Sequence, residues 1–535
     1  VVELTLDTAG YLPSEHLASR LAIEPAAGQG AFLLPMIHRL IASCKNHQYP
    51  LAALTSSLLA YELDAASATA TRAAVVATLL ELGLPPEEAH HLSATWVRTG
   101  DYLRAAPLLP EADFIIGNPP YIRQEEIDDD AMAIYRSMYR TMQGRADLYI
   151  AFFEAALRGL KANGACAFIC ADRWMTNQYG AGLCGLITQH FSVETLLTMH
   201  SADAFDQSVS AYPALTVMRR AHQGVVIRGT LESFADGQQA IAPLLNTLRL
   251  GPAEASTFPG LQIRRVETWA SGENPWPCAD GERLRLLRRL EDQFSPLESE
   301  DTGTRVGIGV ATGLDDVFIT TDTTLVEPSR LLPLALTTDI ATGQLQWSEH
   351  YLVNPWDGAG LVGLEDFPRL QAYLTEHVER LKQRHTARQH PPHWYRTIDR
   401  VNSTLLNKPK LYIADIKEQL SPVLDQGHTY PHHNLYVVQS DQWDLEVLGG
   451  LLLSAVGQFF VECYGTRMRG GYLRFQAQYL RRIRVPRPQD LSPAQAASLI
   501  QAFRQRNIPL ATRTALALYK LQELPGVTPT EPHPP

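Results

Sequence analysis

The first 220 residues alternate short apolar runs with amphipathic or Ala-rich stretches, and several runs end in a glycine or an acid. Val1–Leu12 reads as a helix, and a strand before Glu24 turns through Gly28-Gln29-Gly30 into a second helix reaching about Ala42. Leu58–Leu63 reads as a second strand, followed by a helix from about Ala65 to Leu82, with further strands at Trp96–Gly100 and Phe114–Gly117. Leu148–Leu160 has the spacing of a buried helix and Ala165–Cys170 the apolar continuity of a buried strand, and Val193–Met199 and Ala214–Arg219 complete the series. This alternation predicts a mostly parallel, doubly wound sheet with helices on both faces. Sheets of that kind bind ligands beyond the carboxyl ends of their strands.

The pattern changes near residue 225. It predicts a first domain over 1–225, a linker and the start of a second domain over 226–302, and a mixed α+β domain over 303–490. Two helices within 491–524 and a disordered Pro-rich tail over 525–535 would follow. A chain of 535 residues is long enough for two or three cores. No apolar run approaches the ~18–20 residues of a spanning helix, and no membrane role is predicted. The six cysteines, at 44, 166, 170, 184, 278 and 463, contain no Cys-x-x-Cys pair. Neither a disulfide framework nor a metal site is therefore expected, and a reducing cytoplasm is the expected location. The chain opens Val1-Val2-Glu3-Leu4 without an initiator Met, so it is expected to start inside the natural protein.

Four strand ends carry candidate chemistry. After the first comes Glu24-Pro25-Ala26-Ala27-Gly28-Gln29-Gly30, where two glycines admit close approach of a ligand to backbone amides. Leu33 stands where a dinucleotide fingerprint needs a third glycine, and no phosphate-binding Lys follows, which excludes a P-loop. An acid before Gly-x-Gly suits a ligand that ends in an amino acid instead of a pyrophosphate, as S-adenosylmethionine does. After the second strand, Glu62 can accept from both ribose hydroxyls, beside Leu63, while Asp64 has the position of a helix N-cap. After the third, Asp101-Tyr102 offers an acceptor for an exocyclic amine. After the fourth, Asn118-Pro119-Pro120-Tyr121 presents an amide, carbonyls without competing amide donors, and a ring. Asn118 and the Pro119 carbonyl can accept the two hydrogens of a planar amine while Tyr121 covers its face.

Order and spacing together resemble the gamma-class, TaqI-like N6-adenine DNA methyltransferases of type II restriction–modification systems. The resemblance covers residues 1–220 motif by motif, and the remainder as a general arrangement. It implies a class I S-adenosylmethionine-dependent methyltransferase fold followed by a mixed α+β target-recognition domain. Glu24, Ala26, Gly28, Gly30, Glu62, Asp101 and Tyr102 would hold the cofactor, with Leu63 and Phe152 on opposite faces of its adenine. Asn118, Pro119 and Tyr121 would act on a flipped-out target adenine, with Phe205 on the other face of that base. The family's Thr-Pro before the first strand is absent, and Val1–Leu4 matches the remainder of that helix. Expected partners are double-stranded DNA and a separate cognate restriction endonuclease, with the enzyme acting as a monomer. Methyltransferases of ribosomal RNA or protein glutamine use a similar loop; they usually lack a C-terminal region of the length seen here. A methyltransferase part of a bifunctional restriction–modification enzyme, and a DNA-binding specificity subunit with a relic catalytic fold, are the other readings.

A net charge of −11 argues mildly against nucleic acid, but residues 464–488 hold seven arginines and no acid. Candidate DNA contacts are Trp394 and Arg396, then Arg467, Arg469 and Arg474 around a Gly-Gly, then Arg481, Arg482 and Arg484 as phosphate contacts. Asp415-Ile416-Lys417 has the Asp-x-Lys form of a metal-dependent nuclease, with Asp399 upstream, though the flanking Pro-Asp signature is missing.

Overall fold

The computed structural model describes residues 1–199, 213–232, 255–258, 260–267, 269, 272, 276–279, 281–465 and 472–525. Phe205, Arg467, Arg469 and the tail from 526 lie outside the described residues. The chain forms two compact units, Val1–Gly281 and Glu282–Pro535.

The first unit is built on one sheet of ten strands: β1 (Ala22–Glu24), β2 (Leu58–Glu62), β3 (Val97–Thr99), β4 (Ala112–Gly117), β5 (Leu160–Ala171), β6 (Ser192–Thr198), β7 (Pro213–Arg219), β8 (Val226–Leu231), β9 (Ala255–Phe258) and β10 (Leu261–Val266). Their spatial order is β3-β2-β1-β4-β5-β7-β6-β8-β10-β9. From β3 to β5 every pairing is parallel. β7 then inserts antiparallel to both β5 and β6, β8 runs parallel to β6, and β10 pairs antiparallel with β8 and β9. The expected parallel character thus belongs to the half containing the candidate motifs.

The helices cover both faces because the strands are apolar on both. On β5, Ala165, Ala167 and Ile169 join Phe114 and Ile116 in one core with α1 (Val2–Ala9), α2 (Leu33–His47), α3 (Ala65–Glu81) and α4 (Pro86–Trp96). The alternate residue Phe168 turns the other way, its ring 5.2 Å from Phe153, which in turn lies 5.7 Å from Trp174. This alternation is the period-2 geometry of a strand buried on both faces. Arg39 on α2 clips α1 in place through Asp7 at 2.7 Å and through Glu3. All six cysteines are free thiols, and five are buried.

The boundary expected at residue 225 falls inside this sheet. β8 to β10 lie past it, and the first unit ends at Gly281. The reason is visible in register: Ile227 to Thr230 of β8 pair with Thr195 to Thr198 of β6, burying Val226, Ile227 and Leu231. Loss of the strand–helix rhythm marked a change of connectivity, and the core continues through it.

The second unit contains an antiparallel sheet ordered Arg305–Ile308, Leu435–Gln439, Lys410–Ala414, Val423–Asp425. A second sheet is ordered Ile319–Thr320, Tyr351–Val353, Leu331–Ala335, Tyr430–Pro431. Lys410 and Asp425 form an ion pair at 2.8 Å with both side chains fully buried, and the Tyr412 hydroxyl donates to the same carboxylate. Helices Pro493–Gln505 and Ile508–Leu518 occupy the region where C-terminal helices were expected, and the former packs on Leu445–Leu453, where a Cβ at Gly450 would meet the Leu499 carbonyl oxygen at 2.3 Å. No single helix among the described residues is long and apolar enough to cross a membrane.

Gly229 tests the extended sheet. A Cβ there would lie 2.4 Å from the Gln262 carbonyl oxygen and 2.6 Å from Ile263 Cγ2 on β10. Gly229→Val is expected to destabilise the protein by about 1–3 kcal/mol, the usual cost of overpacking, read as a lower urea midpoint. An unchanged midpoint would show that β8 and β10 do not pack this way.

Candidate active site

β1 is only three residues long and lies between β2 and β4, with Glu24 opposite Ala60 and Ile23 opposite both Leu59 and Ile115. The three strands therefore deliver their following loops to one edge. Gly117, the last residue of β4, packs closely on the start of the glycine loop: a Cβ there would lie 3.3 Å from the Pro25 ring and 3.5 Å from Glu24 Cγ, a tight fit. This contact sets Asn118 directly beside the glycine loop.

The loop itself is shaped by backbone. Gly28 and Gly30 have φ of 51° and 88°, in the left-handed region that side chains rarely enter. The Ala27 amide donates to Tyr61 O at 2.8 Å, and Thr71 Oγ1 donates to Gly28 O at 2.7 Å. Glu62 binds the loop to its own strand end, one oxygen accepting the Gly28 amide at 2.8 Å and the other the Asp64 amide at 2.9 Å. Each oxygen keeps a second lone pair for a ligand. Asp64 caps α3 by accepting from the Ser67 amide at 2.7 Å, as its position predicted.

Glu24 is 1% exposed, and its Oε2 is buried with no hydrogen-bond partner. Burial raises its pKa well above the ordinary carboxylate value, and the nearby Glu62 charge adds to the rise; backbone amides of Leu33 and Phe32 oppose it. Leu63, the next residue after β2, is 71% exposed, an unusual placement for a leucine between a strand and a helix. Ala26 lies within the loop and is half-buried.

Asp101 is more heavily engaged than its sequence position suggested. Its Oδ1 accepts from the Leu103 amide at 2.9 Å, capping the turn α5 (Tyr102–Ala105). Its Oδ2 accepts from the Tyr135 hydroxyl at 2.9 Å and pairs with Arg104 at 3.2 Å. Tyr135 and Tyr139, at the end of α6 (Asp129–Met138), both grip this turn, Tyr139 through the Leu103 carbonyl at 2.5 Å. Sequence reading missed the tyrosines because they follow the Asn-Pro-Pro-Tyr loop by more than a dozen residues, and no periodicity points them back to α5. Tyr102 is buried, and its ring stacks on Phe152 with centroids 5.8 Å apart. Phe152 thus belongs to the same aromatic group, on α7 (Tyr149–Arg158).

At the end of β4 the Asn118 Oδ1 is buried without a hydrogen-bond partner. Pro119 is buried, and the Tyr121 hydroxyl donates to Ile169 O on β5 at 3.1 Å, which fixes the ring. Burial pushes the Tyr121 phenol pKa up, so it stays protonated.

In the second unit, several arginines read as DNA contacts already have partners. Arg474 pairs with Asp415 at 2.5 Å. Arg481 donates to Val306 O at 2.9 Å and pairs with Glu298 at 3.2 Å. Arg482 lies over the Tyr464 ring at 4.9 Å, and Arg484 donates to Phe294 O at 3.5 Å. Their first role is to join segments of this unit, which a local count of basic residues cannot reveal. Arg396 stacks over Trp356 at 5.4 Å, and Trp394 packs edge-on against Tyr395. In the nuclease-like triplet, Asp415 pairs with Arg474 through one oxygen, and the upstream Asp399 accepts the Ala311 amide at 2.8 Å.

Residues 111–205, which span the β4 loop and α7, match the model of the Eco57I restriction-modification methylase family. Over 534 aligned residues the chain is 42% identical to the Type II methyltransferase M.PaeR7I of Pseudomonas aeruginosa, covering 97% of this chain and 90% of that one. It is 40% identical to the Type II methyltransferase M.XhoI of Xanthomonas vasicola, covering 98% and 96%. The chain belongs to the type II methyltransferase family of restriction–modification systems. Among solved structures, the fold is similar to that of the Type IIL restriction-modification enzyme MmeI in complex with DNA, with a TM-score of 0.58 at 13% identity over 97% of this chain and 72% of that one.

Between the unfolded and the raised folded pKa of Glu24, the native protein holds a proton that the unfolded chain has released, so stability falls as pH rises through that window. Glu24→Gln is expected to raise Tm at neutral pH, with the difference shrinking as pH falls toward about 4.3, the unfolded glutamate value; a lower Tm at neutral pH would contradict it. Tyr135→Phe combined with Asp101→Asn in a double-mutant cycle is expected to show coupling of about 1.5–3 kcal/mol in urea unfolding, as for a hydrogen bond to a charged group. Additive effects would mean that the Tyr135 hydroxyl does not hold Asp101.

Proposed function

We propose that this enzyme transfers a methyl group from S-adenosylmethionine to the exocyclic N6 of an adenine in double-stranded DNA, in the cytoplasm, protecting a site cut by a cognate restriction endonuclease. The strand order from β3 to β6, with β7 inserted antiparallel, supports the class I S-adenosylmethionine-dependent fold. The single observation that carries the chemistry is the buried, unpartnered Asn118 Oδ1 at the end of β4. A buried acceptor without a donor costs about 1–3 kcal/mol, and an amine entering the cleft would relieve that cost.

The residues present fit the cofactor. Glu24 Oε2 is a buried acceptor also without a donor, suited to the cofactor's ammonium group, which would draw its carboxyl into the charged form. A Cβ on Gly28 would meet nothing within 4 Å, so the loop faces open space, and the exposed Leu63 offers an apolar face for a purine. Glu62 would accept ribose hydroxyls on its free lone pairs, while Asp101, held by Tyr135, and the Tyr102–Phe152 stack would flank the adenine. The cofactor, when bound, supplies an electrophilic methyl group.

The adenine N6 lone pair is delocalised into the ring, which makes this amine a poor nucleophile. Asn118 Oδ1 and the Pro119 carbonyl would each accept one N6–H, favouring a pyramidal nitrogen whose lone pair points at the methyl group. Those bonds strengthen toward the transition state, which is what acceleration requires. The target base must leave the duplex to reach the loop, and Tyr121, anchored through its hydroxyl, supplies one stacking face. Phe205 on the opposite face completes this reading. Arg396 and Trp394 remain the proposed base contacts, with Arg467 and Arg469; Arg474, Arg481, Arg482 and Arg484 would serve phosphates through whatever donors their internal partners leave.

Asn118→Ala is expected to abolish methyl transfer to DNA while leaving cofactor and DNA affinity near wild type. Tyr121→Ala is expected to lose about 1–3 kcal/mol of flipped-base stabilisation. Labelled methyl transfer to plasmid DNA, with the modified base identified by mass spectrometry, decides between readings. Label in cytosine, in RNA or in protein would overturn the assignment.

A further inference from the structure

The second unit gathers Asp315, His432 and His433 so that one ligand atom from each lies within 4.8 Å of the other two. Asp315 opens the short helical turn Asp315–Phe318, and the histidines follow the strand Tyr430–Pro431. The two segments are 117 residues apart in sequence but locked together by backbone. The His433 amide donates to Val310 O at 3.0 Å, and His432 forms a parallel bridge with Val310. We propose that these three side chains form a binding site for one divalent metal ion of the zinc class.

Several features are those of a ligand set. His432 Nε2 and Asp315 Oδ2 are 3.2 Å apart. Two ligands with bonds of about 2.0–2.1 Å to a tetrahedral ion stand about 3.3 Å apart. Thr312 Oγ1 donates to Asp315 Oδ1 at 2.5 Å, which orients the carboxylate and leaves Oδ2 toward the imidazoles, as outer-shell partners of metal ligands do. His432 is 5% exposed, so its imidazole is held in place by the packing around it. A hydrogen bond alone would account for the His432–Asp315 pair. It would not account for a second imidazole alongside, with rings 4.1 Å apart, whose Nδ1 is buried and makes no hydrogen bond.

Two imidazoles and one carboxylate favour zinc, cobalt or nickel over magnesium and calcium, which prefer all-oxygen shells. Asp315 is half exposed, so the fourth position opens to water and the ion would exchange with solvent. The ion would pin the loop at 310–315 to the turn at 432–433. The same loop accepts from the amides of Asp399, at Ala311 O and 3.1 Å, and of Ile398, at Thr312 O and 3.4 Å, so it also orders the Trp394–Arg400 stretch. Sequence reading predicted no metal site because it weighed cysteine spacing, and these ligands share no local spacing.

The test is titration of chelator-treated full-length protein with Co2+, followed by visible d–d absorption, and elemental analysis after dialysis against Zn2+. Wild type is expected to take up one ion per chain at this site. Asp315→Asn and His433→Ala are each expected to weaken binding at least ten-fold, and the double variant to lose the absorption band. Asp315→Asn keeps a side chain of the same shape at a half-exposed position, so it tests the site even where a histidine variant fails to fold. His47→Ala, which separates the His16–His47 pair whose tilted rings lie 3.8 Å apart in the first unit, is expected to leave the band unchanged. Equal Co2+ uptake by wild type and the Asp315→Asn/His433→Ala double variant, loss of the band in His47→Ala, or no uptake by wild type would overturn the proposal.

Discussion

The candidate site depends on parallel hydrogen bonding of β1 to both of its neighbours. Three residues cannot form a stable strand alone, and Ala22–Glu24 persists because β2 and β4 flank it in register. That pairing brings the glycine loop, the Glu62 carboxylate and Asn118 to one edge. It also buries Glu24 at the cost of a raised pKa and an unmatched oxygen. The fold thus holds two acceptors, Glu24 Oε2 and Asn118 Oδ1, away from water without giving them donors. Polar groups in that state mark places where stability has been exchanged for readiness to bind.

Around this edge side chains pin the backbone. Glu62 ties two amides, Thr71 ties the Gly28 carbonyl, and Tyr121 ties β4's loop to β5. α6 adds a second connection, because the segment following the Asn-Pro-Pro-Tyr loop returns two tyrosine hydroxyls to Asp101 and Leu103. The loop that would hold the target and the turn that would hold the cofactor's adenine are thereby joined through one short stretch of chain.

The second unit uses charge differently. Its arginines bridge strands, carbonyls and aromatic rings, and Arg384 alone donates to the carbonyls of Leu381, Thr312, Trp394 and Arg396. Burial lowers the pKa of Arg384, the expected cost of placing a guanidinium where it can organise loops. An irregular domain with short strands needs such cross-links, since few of its segments are long enough to hold one another by ladders alone.

Much of the first unit was legible in sequence because its determinants are local. Strand ends followed by Gly-x-Gly, by Glu62-Leu63-Asp64, by Asp101 and by Asn118-Pro119-Pro120-Tyr121 are each set within a few residues, and helix caps such as Asp64 obey short-range rules. The sheet's true limit at β8–β10 was not legible, because strand pairing across intervening segments leaves no periodic trace. Nor were Tyr135 on Asp101, Arg481 on Glu298, or the meeting of Asp315 with His432 and His433, since those partners are chosen by three-dimensional proximity. Sequence by itself determined which chemical groups stand at each strand end. Only the tertiary structure decided which of them are already satisfied and which are left buried and waiting, because hydrogen-bond satisfaction is a property of neighbours in space.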